Sequence, residues 1–222
     1  PAEVWLADYT RTYVERDVRQ LVNVGDLETF ERFVALCAGR TGQVLNFSSL
    51  AADTGIAVDT ARRWISILKT SFLVFLLRPH HRNFNKRVIK SPKLYFYDTG
   101  LACHLLGIRN SEQLQTHHAR GALFENYVIG EVVKAYTHHR REPPVAFWRD
   151  QTGHEIDLVI EEAGDLFPVE IKSGATVRPA LFEGLDWWCG LASVPAERAT
   201  LVYAGNEAFV HRGMRVRPWF AV

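Results

Sequence analysis

Two apolar segments meet at the short turn Glu162-Ala-Gly-Asp165, and they constrain the fold more than any other part of the 222-residue chain. Residues 155–171 are rich in isoleucine, leucine and valine on both sides of this turn, which predicts a pair of antiparallel strands. Asp157, Glu170 and Lys172 are charged residues inside these strands. Because a buried charge must be paired, bind a metal ion or face a cleft, the hairpin is expected to carry a site.

The length of the turn predicts how these charges meet. A two-residue loop at Ala163-Gly164 and a four-residue loop over 162–165 both place Asp157 directly opposite Glu170. Facing Cβ atoms are about 5 Å apart, so two carboxylates repel unless a cation lies between them or one is protonated. Oxygen ligands of this kind favour Mg²⁺ or Mn²⁺. With Lys172 to orient or activate a water molecule or stabilise an oxyanion, the group suits metal-assisted phosphodiester hydrolysis.

A purely structural interpretation of the same residues stays open. Glu155 is expected opposite Lys172 in this register, so the lysine can neutralise Glu155, Asp157 and Glu170 as one ion-pair cluster. The lysine is then needed for stability and not for chemistry. The sequence permits both interpretations.

The second half of the chain predicts the element order αβββαβ. The expected helices and strands cover about 122–136, 145–149, 155–160, 166–171, 179–191 and 200–204, with a final hairpin within 209–220. Trp187-Trp188 lies on the second of these helices, where it either packs in the core or stacks on bases. The three adjacent histidine pairs that begin at His80, His117 and His138 are expected at the surface.

The first half of the chain predicts a winged helix-turn-helix. Helices are expected over about 4–22, 27–38, 50–54 and 59–70, and strands over 72–77 and 93–97. Ser48 or Ser49 is the expected cap of the third helix, Gly55 ends that helix, and Asp59 is the expected cap of the fourth. Two helices joined by a Gly-containing turn and followed by a hairpin are typical of this fold.

Basic residues are concentrated in this half. Residues 60–97 contain nine lysines and arginines and no aspartate or glutamate, which indicates a nucleic-acid contact surface. The predicted DNA contacts are Arg62, Arg63 and Lys69 on the recognition helix and Lys86 and Arg87 in the turn between the strands. The alternatives are a solvated face, a docking surface for the acidic second half of the chain, or a winged helix that only packs against protein.

The predicted domains are 1–110 and 111–222, separated by a loop over about 107–120 that follows a short helix at 98–106. Three widely spaced cysteines fit a reducing cytoplasm and match no disulfide or zinc pattern. Apolar runs stay below the ~18 residues that span a membrane, so no membrane partner is expected. Because the chain begins at Pro1, we expect it to be a piece of a longer protein.

Two motifs resemble a nuclease family. Gly153-His-Glu-Ile-Asp157 and Val169-Glu-Ile-Lys-Ser173 are similar to the PD-(D/E)xK motif of Holliday-junction resolvases and restriction endonucleases, over residues 120–205. Ile156 stands where the name-giving proline would be. The resemblance implies a restriction-endonuclease-like fold, Asp157 and Glu170 as metal ligands and Lys172 as the catalytic lysine. It also implies that Glu125 is a further catalytic ligand on the first core helix.

A broader resemblance covers nearly the whole chain. The segments 13–18, 95–101 and 121–126 are similar to the uncharacterised C-terminal module of prokaryotic AAA-type ATPases. The resemblance implies that an ATPase domain precedes this chain and is its partner. No G-x-x-x-x-G-K-[ST] motif occurs, so no ATP site is expected here. The combined expectation is an ATPase-linked DNA-binding and nuclease-like module, able to form oligomers, or a catalytically inactive docking module.

Overall fold

The computed structural model describes residues 2–12, 27–82, 84 and 87–222. Contacts divide the chain into two compact units. The first unit comprises residues 1–76 and 93–123, and the second comprises residues 77–92 and 124–222. Each unit has its own hydrophobic core.

The first unit contains a series of helices and a two-stranded sheet of β1 and β2. Its elements are α1 (Ala2–Thr12), α2 (Leu27–Ala38), α3 (Phe47–Thr54), α4 (Val58–Thr70), β1 (Val74–Leu77), β2 (Lys93–Phe96), α5 (Thr99–Leu105) and α6 (Ser111–Thr116). Phe30, Phe33 and Trp64 are buried at the centre of its core. The ring of Trp64 meets both phenylalanines edge to face, with centroids 5.0 and 5.1 Å apart. Packing between α2 and α4 thus holds this unit together.

Side-chain caps in this unit differ from the predicted ones. Asn46, and neither Ser48 nor Ser49, caps α3, since its side chain accepts a hydrogen bond from the N–H of Ser49. Helix α4 begins at Val58 with no side-chain cap. Asp59 lies in the first turn of α4, where its charge favours the positive end of the helix.

Two further expectations concern the ends of this unit. The loop expected over 107–120 is wrong, because α6 forms there with the side chain of Asn110 as its cap. The helix expected over 4–22 is present as α1 up to Thr12. The remainder of that prediction lies outside the residues that the structure describes.

The second unit consists of helices and a six-stranded sheet. Its elements are α7 (Arg120–His138), β3 (Val145–Arg149), β4 (Glu155–Glu162), β5 (Asp165–Lys172), α8 (Glu183–Ala192), β6 (Thr200–Tyr203), β7 (Phe209–His211) and β8 (Met214–Pro218), with 3-10 turns at Pro179–Phe182, Ala196–Arg198 and Trp219–Ala221. Helix α7 begins in the first unit and continues from Phe124 in the second. Helix, three strands, helix and strand follow in the predicted order. The mixed α/β class that the predicted order αβββαβ implies is confirmed.

The sheet is mixed, with the strand order β3-β4-β5-β6-β8-β7. Strands β3, β4 and β5 are antiparallel neighbours, whereas β6 runs parallel to both β5 and β8. Helix α8 packs on β4 and β5. Its buried Leu185 and Trp188 share the core of this unit with Trp148 and Phe182.

The register of the β4–β5 hairpin is the predicted one. Pairs run from Glu162 opposite Asp165 to Leu158 opposite Val169. The loop therefore has two residues, Ala163 and Gly164, with φ of +52° and +86°. Positive φ at both central positions is typical of the hairpin turn whose twist matches the flanking strands.

Two segments group differently from the predicted domains. Residues 77–92, expected as the wing of the first domain, belong to the second unit, and residues 111–123 belong to the first. Within the second unit, Pro79 forms a parallel bridge with Phe147 of β3. Residues 77–92 thus belong to the second unit and also pair with its strand β3 through the backbone.

The last feature of the fold is the length and hydropathy of its helices. Within the described ranges, none of them is long and apolar enough to cross a bilayer.

Candidate functional site

Three charged side chains meet on the β4–β5 hairpin. The Nζ of Lys172 lies 3.7 Å from Oδ2 of Asp157 and also contacts Oε1 of Glu170. The backbone N–H of Ile171 donates a hydrogen bond of 2.8 Å to Oδ2 of Asp157. The hairpin therefore brings Asp157, Glu170 and Lys172 into one cluster, which we call the hairpin cluster.

Glu170 is the least satisfied member of the hairpin cluster. Its side chain is only 13% exposed, and its Oε2 atom is buried without a hydrogen-bond partner among the described residues. Burial and then the charge of Asp157 raise the pKa of Glu170 from 4.5 to about 7, against the opposing effect of Lys172. The sequence predicts that one of the two carboxyls is protonated when no cation lies between them, and the raised pKa of Glu170 agrees with this prediction.

Lys172 remains a cation in this environment. Burial disfavours its charged form, but the negative charges of Asp157, Glu170 and Glu125 outweigh burial and raise the pKa of Lys172. The ammonium group can therefore donate hydrogen bonds and stabilise negative charge. It is not suited to accept a proton near neutral pH.

Glu125 and Glu155 lie at the margin of the hairpin cluster. Glu125, on α7, is close enough to influence the pKa of Lys172. In the described part of the chain, however, Glu125, Asp157 and Glu170 do not bring three oxygen atoms within 4.8 Å of one another. Glu155 forms an ion pair of 3.3 Å with Arg149 on β3.

The predicted DNA contacts do not all lie in one unit. Arg62, Arg63 and Lys69 are exposed on α4 of the first unit. The guanidinium of Arg62 lies 4.5 Å from the ring centroid of Phe47, so it also packs within that unit. Arg87 is exposed in the second unit, and Lys86 lies outside the described residues.

The aromatic pair on α8 has two different environments. Trp188 is fully buried, so core packing is confirmed for this residue. Trp187 is half-buried and stacks on the ring of His154, with centroids 3.9 Å apart.

His80 is a residue that the sequence-based reasoning missed. The expectation of a surface histidine is wrong for His80, which is 4% exposed and lies 3.1 Å from Glu161 through its Nε2 atom. Burial lowers the pKa of His80. No local pattern could have revealed this contact, because the two residues are 81 positions apart.

A family profile described as "Domain of unknown function (DUF8612)" matches residues 1–112. The chain belongs to the DUF8612 family. A second profile, described as "Domain of unknown function (DUF4143)", matches residues 120–219. The hairpin cluster and Glu125 lie in the DUF4143 segment, whereas all five predicted DNA contacts lie in the DUF8612 segment.

Two mycobacterial proteins are similar to this DUF8612 chain over most of its length. They are the uncharacterized proteins Rv2008c of Mycobacterium tuberculosis and Mb2031c of Mycobacterium bovis, each 31% identical over 205 residues. The match covers 92% of this chain and 45% of each relative, so the chain spans about half the length of the curated relatives it matches. No solved structure matches the chain.

Proposed function

We propose that the second unit is a PD-(D/E)xK-type nuclease-like domain that hydrolyses DNA phosphodiesters at the hairpin cluster. One observation carries this proposal. A buried, unpartnered carboxylate oxygen of Glu170 lies beside Asp157, with a charged Lys172 in contact with both residues. A buried carboxylate pair with one unsatisfied oxygen is a costly arrangement unless a cation completes it.

The side chains in this cluster fit a divalent cation. Carboxylate oxygens are the ligands that Mg²⁺ and Mn²⁺ prefer, and Asp157 and Glu170 would hold the ion, with Glu125 as a further ligand. When bound, such an ion supplies a Lewis acid and a water molecule of lowered pKa. Lys172 contributes a fixed positive charge that stabilises negative charge developing on the phosphate.

We further propose that the first unit is a DNA-binding winged helix and that the chain is the C-terminal part of an AAA-type ATPase. Helix α3, the turn at Gly55, helix α4 and strands β1 and β2 follow in the order of that fold. DUF4143 domains are commonly found in AAA-ATPase-associated proteins, and the relatives are about twice as long as this chain. The first unit would then position DNA for the second.

A catalytically inactive docking module is the second candidate. The contacts of Lys172 with both carboxylates favour it, because the lysine already supplies a counter-ion. The spacing of Glu125 from the other two carboxylates also favours it. In this case the hairpin cluster is an ion-pair group that only stabilises the hairpin.

Cleavage of plasmid and branched DNA with Mg²⁺ or Mn²⁺ tests the proposal. We expect the parent chain to nick DNA, Asp157→Asn to abolish nicking, and Lys172→Ala to retain Mn²⁺ while slowing cleavage roughly 10²–10³-fold. Glu183→Gln, which replaces an exposed carboxylate on α8, is the matched control and should behave like the parent.

The same variants separate the two candidates. Unchanged cleavage in Asp157→Asn would contradict the assigned site. If the hairpin cluster is only structural, the parent binds no Mn²⁺ there, and Lys172→Ala lowers the free energy of unfolding by about 3–5 kcal/mol. Calorimetry with Mn²⁺ and thermal unfolding of the same samples measure both quantities.

A further inference from the structure

A second group of potential metal ligands lies elsewhere in the second unit. It consists of His80, His81 and Glu161, and we call it the histidine group. One potential ligand atom from each residue lies within 4.8 Å of the other two. In the described part of the chain, it is the only such set of three histidine, cysteine or acidic side chains. Glu161 is on β4, and the histidines lie in the segment that pairs with β3.

Backbone hydrogen bonds hold the group in position. The N–H of His80 donates to the carbonyl of Phe147 at 2.7 Å, and the N–H of Glu161 donates to the carbonyl of Pro144 at 2.9 Å. The histidine and the glutamate are therefore both anchored to β3 or to the residue that precedes it. Sites on paired backbone hold their side chains more accurately than sites on free loops.

Arg82 orients the carboxylate. Its Nη2 atom lies 3.2 Å from Oε1 of Glu161, while Oε2 faces Nε2 of His80. The indole N–H of Trp148 donates to the carbonyl of Arg82 at 3.1 Å and so fixes the segment. One carboxylate oxygen is thus occupied, and the other points to the imidazole. Hydrogen bonds of this kind orient the ligands in protein metal sites.

The separation of the two facing atoms fits a shared metal ion. His80 Nε2 and Glu161 Oε2 are 3.1 Å apart. With Zn–N and Zn–O bonds of about 2.05 Å, atoms at this separation subtend an angle of roughly 98° at the ion. Adjacent ligands subtend about 90–110° in octahedral and tetrahedral coordination. Little movement of His80 or Glu161 is therefore needed.

The group opens into a cavity. The cavity has a volume of about 410 Å³, and its lining includes the histidine group, Glu142, Pro79 and Val159. His81 is exposed, so an ion can enter without displacing core residues. Three protein ligands beside open space leave a coordination position for water or another small ligand.

We propose that His80, His81 and Glu161 bind one first-row transition-metal ion of the Zn²⁺ class, with an open coordination position facing the cavity. Imidazole nitrogens with a carboxylate favour Zn²⁺, Co²⁺ or Ni²⁺ over Mg²⁺, which prefers oxygen ligands. This site is distinct from the hairpin cluster in both ligand type and metal preference. It does not depend on the proposed nuclease activity.

Binding of the ion requires the imidazole proton of His80 to move from one ring nitrogen to the other. Without metal, Nδ1 of His80 lies 3.3 Å from the N–H of Arg82. The tautomer that accepts this hydrogen bond carries its proton on Nε2, from which it donates to Glu161. When Nε2 binds the ion, the imidazole proton moves to Nδ1, and the long contact with Arg82 is lost. This loss lowers the affinity but leaves the three ligands in place.

Titration of the EDTA-treated full chain with Zn²⁺ tests the site. Calorimetry should show one Zn²⁺ per chain. His81→Ala, which removes an exposed ligand, should weaken binding by at least the ~10–100-fold typical of changes around a metal site. His138→Ala removes an exposed histidine of the same unit and should leave the affinity unchanged. Thermal unfolding verifies that the variants fold.

Two further measurements make the result decisive. Co²⁺ should give visible absorption bands in the parent chain that weaken in Glu161→Gln, and Asp157→Asn should retain Zn²⁺ binding. Equal loss of Zn²⁺ in His81→Ala and His138→Ala would show nonspecific surface binding and overturn the proposal. Absence of a stoichiometric Zn²⁺ site, or its loss only in Asp157→Asn, would overturn it as well.

Discussion

At the scale of single residues, the chemistry of the hairpin cluster depends on Glu170. Its carboxyl group is buried beside the negative charge of Asp157, and both effects favour the protonated form. Lys172 counteracts them only in part, since the pKa of Glu170 still rises to about 7. A cation at the hairpin cluster would favour the ionised form instead. Near neutral pH, the protonation state of Glu170 therefore differs between the metal-free and the metal-bound site.

The raised pKa of Glu170 predicts how stability changes with pH in metal-free protein. Between about pH 4.5 and 7 the unfolded chain releases this proton while the folded chain retains it, so stability falls as the pH rises. In the Glu170→Gln variant, the free energy of unfolding should fall by up to about 3 kcal/mol less over this pH range than in the parent chain. Urea unfolding at pH 4.5, 6 and 8 with EDTA measures it.

The control for this measurement is Glu183→Gln, which replaces an exposed carboxylate in the same unit. It should keep the pH dependence of the parent chain. If the stability of Glu170→Gln also changes with pH as in the parent chain, Glu170 does not have a raised pKa.

At the scale of secondary-structure elements, the β4–β5 hairpin aligns the charged residues. Its register follows from a two-residue turn, in which Gly164 adopts a positive φ without steric cost. Ala163 also has a positive φ, which is unfavourable for a residue with a Cβ atom. The turn that aligns Asp157 with Glu170 therefore contains one residue that is not optimal for its conformation.

We expect Ala163→Asn to stabilise the protein by about 0.5–1 kcal/mol, because Asn-Gly suits a turn with two positive φ angles. Denaturant unfolding measures the change. Ala208→Asn, in an exposed loop position without a positive φ, should have almost no effect. Destabilisation by Ala163→Asn would contradict the turn conformation.

At the scale of the whole molecule, the two units carry different parts of the proposed function. The recognition helix α4, with Arg62, Arg63 and Lys69, lies in the first unit, and the hairpin cluster lies in the second. The basic stretch 60–97 is shared between the units, because residues 77–92 group with the second. DNA binding and DNA cleavage are thus expected to respond to different substitutions.

Salt dependence of DNA binding tests the role of α4. Replacing Arg62, Arg63 and Lys69 with glutamine should reduce the slope of log K against log salt by up to about 3 units, at roughly 0.9 per phosphate contact. Fluorescence anisotropy with duplex DNA at several salt concentrations measures this slope.

A triple replacement of Arg140, Arg212 and Arg217 makes the same change in charge at exposed positions of the second unit. We expect it to leave the slope nearly unchanged. Equal effects of the two triple variants would remove α4 from the DNA interface and favour general attraction by positive charge.

Features that depend on local patterns follow from the amino-acid sequence. The hairpin register follows from turn length and from the alternation of side chains along a strand, so the proximity of Asp157 and Glu170 was predictable. The order of helices and strands in the second unit follows from hydrophobic periodicity in the same way. Local patterns were less reliable for helix ends. Helices α6 and α3 begin directly after the capping residues Asn110 and Asn46, and the sequence does not show which of several neighbouring polar side chains bonds to the backbone.

Tertiary structure alone decided the features that join distant parts of the chain. The sequence predicts that residues 77–92 form the wing of the first domain. Their backbone instead pairs with β3 in the second unit, and this pairing places His80 beside Glu161. The sequence predicted a raised pKa for one carboxyl but not which one, because the burial of Glu170 depends on all the elements that pack around it. Contacts between residues far apart in the chain leave no periodic signal, and desolvation is a property of the packed molecule.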